Sequence, residues 1–377
     1  MLRRSSGSRL FKQWTKAMTS ALRLARSAGA AAAKTRKPAA AAAVAKKAVR
    51  KRAKTTAATT PRVRAARSMP VRKPTKPEQA SASPSAVSAA GVETGRFRNR
   101  AGTRAYRFFM PASARGLALP PALLVLLHGC AQDAERFAAC TRMDALAEQH
   151  GFCVLYPEQS VRAQRQRCWN WFDPQHQQRG SGEPSLIAGM ARKLVRQHRL
   201  APRRVYVAGF SAGGAMAVVL GETYAELFRA VGVYAGMPYQ SAQGATSAFL
   251  AMRGRHGLAA KTTPSAVPPR ALPVIVVQGD RDRTVHPSNA SIIVRDALAR
   301  FAPLSAEPQE GTAAGRTFSL TRYRDSDGDC LVEHWTIHGG RHAWSGGGTG
   351  LFADPLGPDI SSAMVEFFLA LPGGLGG

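Results

Sequence analysis

RVYVAGFSAGGAMAVV, residues 204–219, reads as a short strand, a sharp corner and the opening of a helix. Val205, Tyr206 and Val207 are residue types that favour a pleated, buried backbone, and the run from Ala212 onward is small and apolar, as a packed helix allows. The corner is Gly209-Phe210-Ser211-Ala212-Gly213. A serine hydroxyl is a weak nucleophile until a neighbouring base takes its proton, and a tight strand-to-helix turn holds the oxygen where base and substrate carbonyl meet it. Glycine at 209 and 213 leaves the backbone room for that turn. G-x-S-x-G spacing alone is a weak signal. A strand before it and a helix directly after it make Ser211 the expected nucleophile of an elbow.

On either side of this corner, strand-like apolar runs alternate with amphipathic helical ones. Residues 123–127, 152–156, 231–234, 273–277 and 334–337 read as strands, the first a continuous apolar run typical of a sheet covered on both faces. Residues 144–150, 186–198 and 362–371 read as helices, and residues 96–110 as a hairpin around Ala101 and Gly102. That alternation predicts one doubly wound α/β domain with a mostly parallel sheet, over residues 91–377.

In such folds the groups that act on substrate collect beyond the carboxyl ends of the strands, and the acid and the histidine follow the serine in the chain. Residues 273–277 run into QGDRDRTV, where either Asp280 or Asp282 can serve as the acid; Asp282, further out on the loop, is preferred, with Asp280 as a turn former. Of nine histidines, His342 lies in the glycine-flanked loop GGRHAWSGG and is the expected base. His334 and His338 alternate along the preceding strand as packing or hydrogen-bonding residues, and His286 is too near the acid in sequence. Donors for the negative charge that develops on a substrate oxygen are expected from the backbone N–H groups of Ala212 and of Cys130, in the HGC loop after residues 123–127. DSDGD at 325–329 mimics a calcium loop, but its glycine is misplaced and Thr336 stands where a bidentate glutamate belongs, so a hairpin turn is expected and no metal site.

The 377-residue chain has a formal net charge of +30, very unevenly spread: residues 1–77 hold 22 of its 53 Lys and Arg and no Asp or Glu. Residues 9–27 project as an amphipathic helix, with Leu10, Phe11, Trp14, Met18 and Leu22 on one arc and basic residues opposite, the pattern of a helix lying in an interface. Residues 28–90 are Ala, Lys, Arg, Pro, Thr and Ser with few large apolar groups, so the whole of 1–90 is expected to be a disordered basic tail. Such a tail suits an anionic or polymer-granule surface, or nucleic acid bound through phosphate neutralisation without base readout. Five cysteines, with no C-x-x-C pair, indicate neither a zinc site nor a fully paired disulfide framework; Cys130 and Cys140 are near enough to meet around one loop, and Cys153 reads as a small core residue. No run approaches the roughly 20 apolar residues of a membrane span, and no uninterrupted signal-peptide core is present. Cytoplasmic residence is therefore expected, with an extracellular location as the alternative.

Several segments together resemble the polyhydroxybutyrate depolymerase-type esterases of the α/β-hydrolase fold: LLHGCAQ at 126–132, TRMDALAEQHGFCVLYPEQ at 141–159, CWNWF at 168–172, the elbow itself, PYQSAQGATSAFLAMR at 238–253, GDRDRTVHP at 279–287 and VEHWTIHGGRHAWSGG at 332–347. The resemblance covers residues 106–371. It implies Ser211, Asp282 and His342 as a triad, Cys130 and Ala212 as oxyanion donors, and no cofactor. It also implies Trp169, Asn170 and Trp171 along the substrate cleft, core burial of one of these tryptophans being the alternative. Some relatives carry a disulfide beside the HGC loop, and the resemblance leaves open whether Cys140 takes part in one here. The implied activity is a serine esterase working through an acyl-enzyme on short-chain polyhydroxyalkanoate. A feruloyl or acetyl-xylan esterase is the alternative within the fold, and a granule- or DNA-binding protein acting through its tail the alternative from another class.

Overall fold

The computed structural model describes residues 91–255, 270–301 and 303–372; the expected tail at 1–90 and its helix at 9–27 lie outside the described residues. A hairpin of β1 (Val92–Asn99) and β2 (Gly102–Phe109) leads into β3 (Leu123–Leu127), β4 (Cys153–Glu158), β5 (Val205–Phe210), β6 (Val231–Tyr234) and β7 (Val274–Gly279). β8 (Ser305–Ala313), β9 (Arg316–Arg324) and β10 (Cys330–Ile337) complete a 10-stranded sheet in the order β1-β2-β4-β3-β5-β6-β7-β10-β9-β8. From β4 through β10 in that order neighbouring strands are parallel; the β1–β2 and β8–β9 hairpins extend the two edges antiparallel. Two short parallel strands, β11 (Trp344–Ser345) and β12 (Ala353–Asp354), form a separate pair.

The helices are α1 (Ala134–Thr141), α2 (Met143–His150), α3 (Gly182–Gln197), α4 (Ala212–Thr223), α5 (Ala245–Met252), α6 (Ser288–Leu298) and α7 (Ile360–Ala370). Strand alternation sends neighbouring side chains to opposite faces of the sheet. Tyr206 of β5 stacks on Phe368 of α7, ring centres 5.0 Å apart, whereas Gly209 abuts the backbone of α4 on the other face. Both faces are thus covered, which is why β3, β5, β6 and β7 are buried along their whole length and read as apolar runs, broken only at the buried Gln278 near the end of β7. A leucine buried this way contributes about 2 kcal/mol, so β3 alone is a substantial part of the core.

β8, SAEPQEGTA, is an exposed edge strand whose polar residues carry no alternation, and it is held by backbone pairing to β9. The DSDGD segment closes the β9–β10 turn: the Asp325 carboxylate accepts hydrogen bonds from the backbone N–H groups of Asp327 and Asp329 at 3.1 and 2.9 Å.

Register places the site. Leu127 lies opposite Gly209, Phe210 opposite Tyr234, Tyr234 opposite Val277, and Gly279 opposite Ile337. The carboxyl ends of β3, β5, β7 and β10 therefore finish at nearly one level, and the loops that follow them share one rim of the sheet.

Candidate active site

Ser211 follows β5 with φ 56° and ψ −117°, a conformation costly for a residue with a side chain and held here by neighbours on both sides. Its N–H donates to the Tyr234 carbonyl at 2.8 Å, and its carbonyl accepts from the N–H of Ala215 at 3.0 Å. The turn closes because small residues meet backbone to backbone: a Cβ on Gly209 would stand 2.4 Å from the Gly213 carbonyl, and one on Gly213 would stand 2.1 Å from the Leu127 carbonyl oxygen. The second contact presses the start of α4 directly onto the end of β3, so the elbow and the HGC loop are one packed unit.

The loops after β7 and β10 are joined in the same way. The Arg281 N–H donates to the Gly340 carbonyl at 2.9 Å, and a Cβ on Gly279 would meet that oxygen at 2.5 Å. This brings His342 between two partners: its Nε2 lies 3.0 Å from Ser211 Oγ and its Nδ1 2.6 Å from Asp282 Oδ2. The ring packs beside Phe210 and Phe352, centres 4.8 and 5.8 Å away. Asp282 is buried, and its carboxylate also accepts from the N–H groups of Thr284 and Val285 at 2.7 and 2.9 Å and from Gln278 Nε2 at 3.1 Å. Hydrogen bonds of this kind fix the direction of the carboxylate toward the imidazole. Asp280 points elsewhere, to His338 Nδ1 at 3.2 Å and the Gly339 N–H at 2.8 Å, and His286 bonds Ser288 beside α6. Arg281, Arg283 and Arg341, flanking Asp282 and His342, are exposed and form no ion pair among the described residues.

Ala212 is the first residue of α4, where backbone N–H groups have no partner within the helix. Cys130 lies in the loop after β3, and its N–H donates to no acceptor among the described residues. The cysteine pairing that the sequence left open is settled by the fold, and Cys153 is a buried core residue. Cys130 is bonded to Cys168, 38 residues away, and not to Cys140. Cys140, on α1, is buried in the core, and burial pushes its thiol, like that of Cys153, up to about 12. Neither is a source of thiolate at neutral pH.

Of the expected cleft residues Trp169, Asn170 and Trp171, both tryptophans are buried, where the sequence reading allowed core burial of one. Trp169 is fully buried, with its indole N–H on the His128 carbonyl at 3.1 Å, and Trp171 is buried edge-on against Phe172. Asn170 is bound through both its backbone N–H and its side-chain amide to Glu183. The disulfide and that buried carboxylate turn the segment inward. Gln159 and Cys168 fall within the segments that carry the family resemblance but had no role assigned, and no motif marks Glu183; the one local hint is an acidic residue opening a helix just after Ser181.

A serine on a strand-to-helix elbow, with an aspartate after β7 and a histidine after β10 on a doubly wound, mostly parallel sheet, defines the α/β-hydrolase fold. The profile of the Esterase PHB depolymerase family matches residues 104–312, more than half of the chain, and the chain belongs to that family. It is 33% identical over 246 residues to poly(3-hydroxyalkanoate) depolymerase C of Paucimonas lemoignei, covering 62% of this chain and 56% of the relative. It is 37% identical over 133 residues to feruloyl esterase B of Neurospora crassa, covering 35% of this chain and 44% of that one. The chain thus spans about half the length of these relatives. The solved acetyl xylan esterase from Aspergillus awamori superposes with a TM-score of 0.53 at 21% identity, over 75% of this chain and 96% of that one, a likeness of fold.

Proposed function

We propose that this chain is a serine carboxylic-ester hydrolase that works through an acyl-enzyme. The observation that carries the reading is the continuous contact from Ser211 Oγ through the His342 ring to Asp282, at 3.0 and 2.6 Å. His342 Nε2 takes the hydroxyl proton as Ser211 attacks the ester carbonyl, and the Asp282 carboxylate stabilises the imidazolium that results. The carbonyl oxygen, negative in the tetrahedral intermediate, is met by the N–H groups of Ala212 and Cys130. Imidazolium returns the proton to the departing alkoxide, leaving an ester on Ser211. Water, deprotonated by the same imidazole, then releases the acid and restores the serine.

The substrate we propose is short-chain polyhydroxyalkanoate or its oligomers, supported by the depolymerase with which this chain shares its longest match of the two relatives above. Feruloyl or acetylated polysaccharide is the second reading, favoured by the higher identity to the feruloyl esterase over a shorter stretch. No helix among the described residues is long and apolar enough to cross a membrane. The Cys130–Cys168 disulfide favours folding in an oxidising compartment over the cytoplasmic residence expected from the sequence. Purified protein should hydrolyse p-nitrophenyl butyrate and lose that activity in Ser211→Ala. Retained turnover in the variant would reject the mechanism, and release of hydroxybutyrate from amorphous polymer, set against release of ferulate, separates the two substrates.

A further inference from the structure

A run of buried polar groups lies behind the HGC loop, and the mechanism above leaves it without a task. Glu183, in the first turn of α3, is fully buried. Its Oε1 accepts from Arg104 Nη2 at 3.1 Å, from Asn170 Nδ2 at 2.8 Å and from Gln159 Nε2, and its Oε2 from the Asn170 backbone N–H at 2.8 Å. A buried carboxylate is costly unless paired and fully bonded; Arg104 and the helix N-terminus offset its charge, and donors fill its acceptor sites. Only a carboxylate accepts at both ends, so an amide in its place turns a donor toward donors.

From Gln159 the contacts run directly to the loop. Its side chain also donates to the Cys168 carbonyl at 2.9 Å, and its backbone N–H donates to His128 Nε2 at 3.1 Å. Because Nε2 accepts, the proton of the neutral ring sits on Nδ1, which donates it to the Gly129 carbonyl at 2.7 Å. That carbonyl belongs to the same peptide unit as the Cys130 N–H. The unit is planar and trans, so fixing the direction of its C=O fixes the opposite direction of its N–H. The groups around it are held as well: the His128 carbonyl by Trp169 Nε1, the Gly129 N–H by Gln132 Oε1 at 3.0 Å, and the Cys130 sulfur by Cys168.

We propose that Glu183 is a positioning residue for ester hydrolysis. Through Gln159 and His128 on one side, and Asn170 with the Cys168 disulfide on the other, it sets the plane of the Gly129–Cys130 peptide and aims the Cys130 N–H at the developing oxyanion. The role rests on the reading of Cys130 as an oxyanion donor. It acts on the transition state and leaves ground-state binding of the ester alone.

The test uses Glu183→Gln and Gln159→Met in the full chain, with kcat normalised by organophosphate titration of active serine. Loss of one oxyanion donor costs about 10²–10³ in kcat, so a misaimed one should lower kcat on the order of 10- to 100-fold with KM held within about twofold. The inhibition constant of an alkylboronic acid, whose serine adduct is tetrahedral, should rise by the same factor. Wild-type kcat and boronate affinity in both variants, or a change in KM alone, would overturn the role. Should Glu183→Gln not fold, Gln159→Met carries the comparison. Ser211→Ala assayed in parallel separates the two levels: activity there defeats the hydrolase reading, whereas an inert Ser211→Ala beside wild-type Glu183 and Gln159 variants defeats the positioning role alone.

Discussion

Gly213→Ala adds a single methyl group, and the structure says where it lands. Its carbon would stand 2.1 Å from the Leu127 carbonyl oxygen and 2.6 Å from that of His128, where real contacts of this kind stay beyond 3.0 Å. Both obstacles are backbone, at the end of a buried strand, so no side chain can swing away. The elbow and the HGC loop must therefore separate by about 1 Å, and a misplacement of that size can cost about 10² in rate. Overpacking a tight site costs about 1–3 kcal/mol besides, which in a domain of this size lowers Tm by about 2–5 degrees. The expected result is a folded variant with kcat on p-nitrophenyl butyrate down about a hundredfold and a lower midpoint in thermal and urea unfolding. Ala at 214, where the nearest backbone oxygens stand 3.0 Å away, should be milder on both counts. A Gly213→Ala protein with wild-type kcat and Tm would refute the idea that backbone contact between α4 and β3 sets the site.

Three further outcomes are expected. The Cys130–Cys168 bond closes a 38-residue separation, for which loop-closure entropy gives about 4 kcal/mol; Cys168→Ser should lose stability of that order in urea without reductant, and dithiothreitol should bring the native protein down to meet it. Burial lowers His128 from 6.5 to about 4, so between those values the unfolded chain takes up a proton that the folded one does not. Its contribution to stability is present above pH 6.5 and is lost as pH falls toward 4, on the order of 3 kcal/mol in all; the urea midpoint of His128→Gln should fall less steeply over that window, and parallel slopes would count against it. Arg281, Arg283 and Arg341 place three exposed positive charges on the loops that carry Asp282 and His342. At low ionic strength KM for p-nitrophenyl hemisuccinate should lie several-fold below that for the neutral butyrate and converge with it near about 0.5 M salt, where screening is nearly complete; equal values at low salt would show that the rim does not reach the ester.

What could be read from residues alone was local or periodic. The elbow is legible because a nucleophile on a strand-to-helix turn needs glycines at fixed offsets and an apolar strand just before, and all of that lies within 204–219. The parallel sheet is legible because strands covered on both faces, such as β3 and β5, must be apolar without a break. At Asp280 and Asp282 the local pattern runs out: both sit in one loop, and it is the approach of the β10 loop, bonded through Arg281 and Gly340, that puts the imidazole of His342 beside the second and His338 beside the first. Cysteine pairing, and the choice between cleft and core for the tryptophans of CWNWF, were left open for the same reason. Cys130 meets Cys168 because two loops converge behind the HGC turn, and Trp169 points inward because a carboxylate from α3 holds its neighbour Asn170. Contacts between segments distant in the chain leave no period or spacing behind, since each is satisfied by a single residue whose partner is chosen by packing.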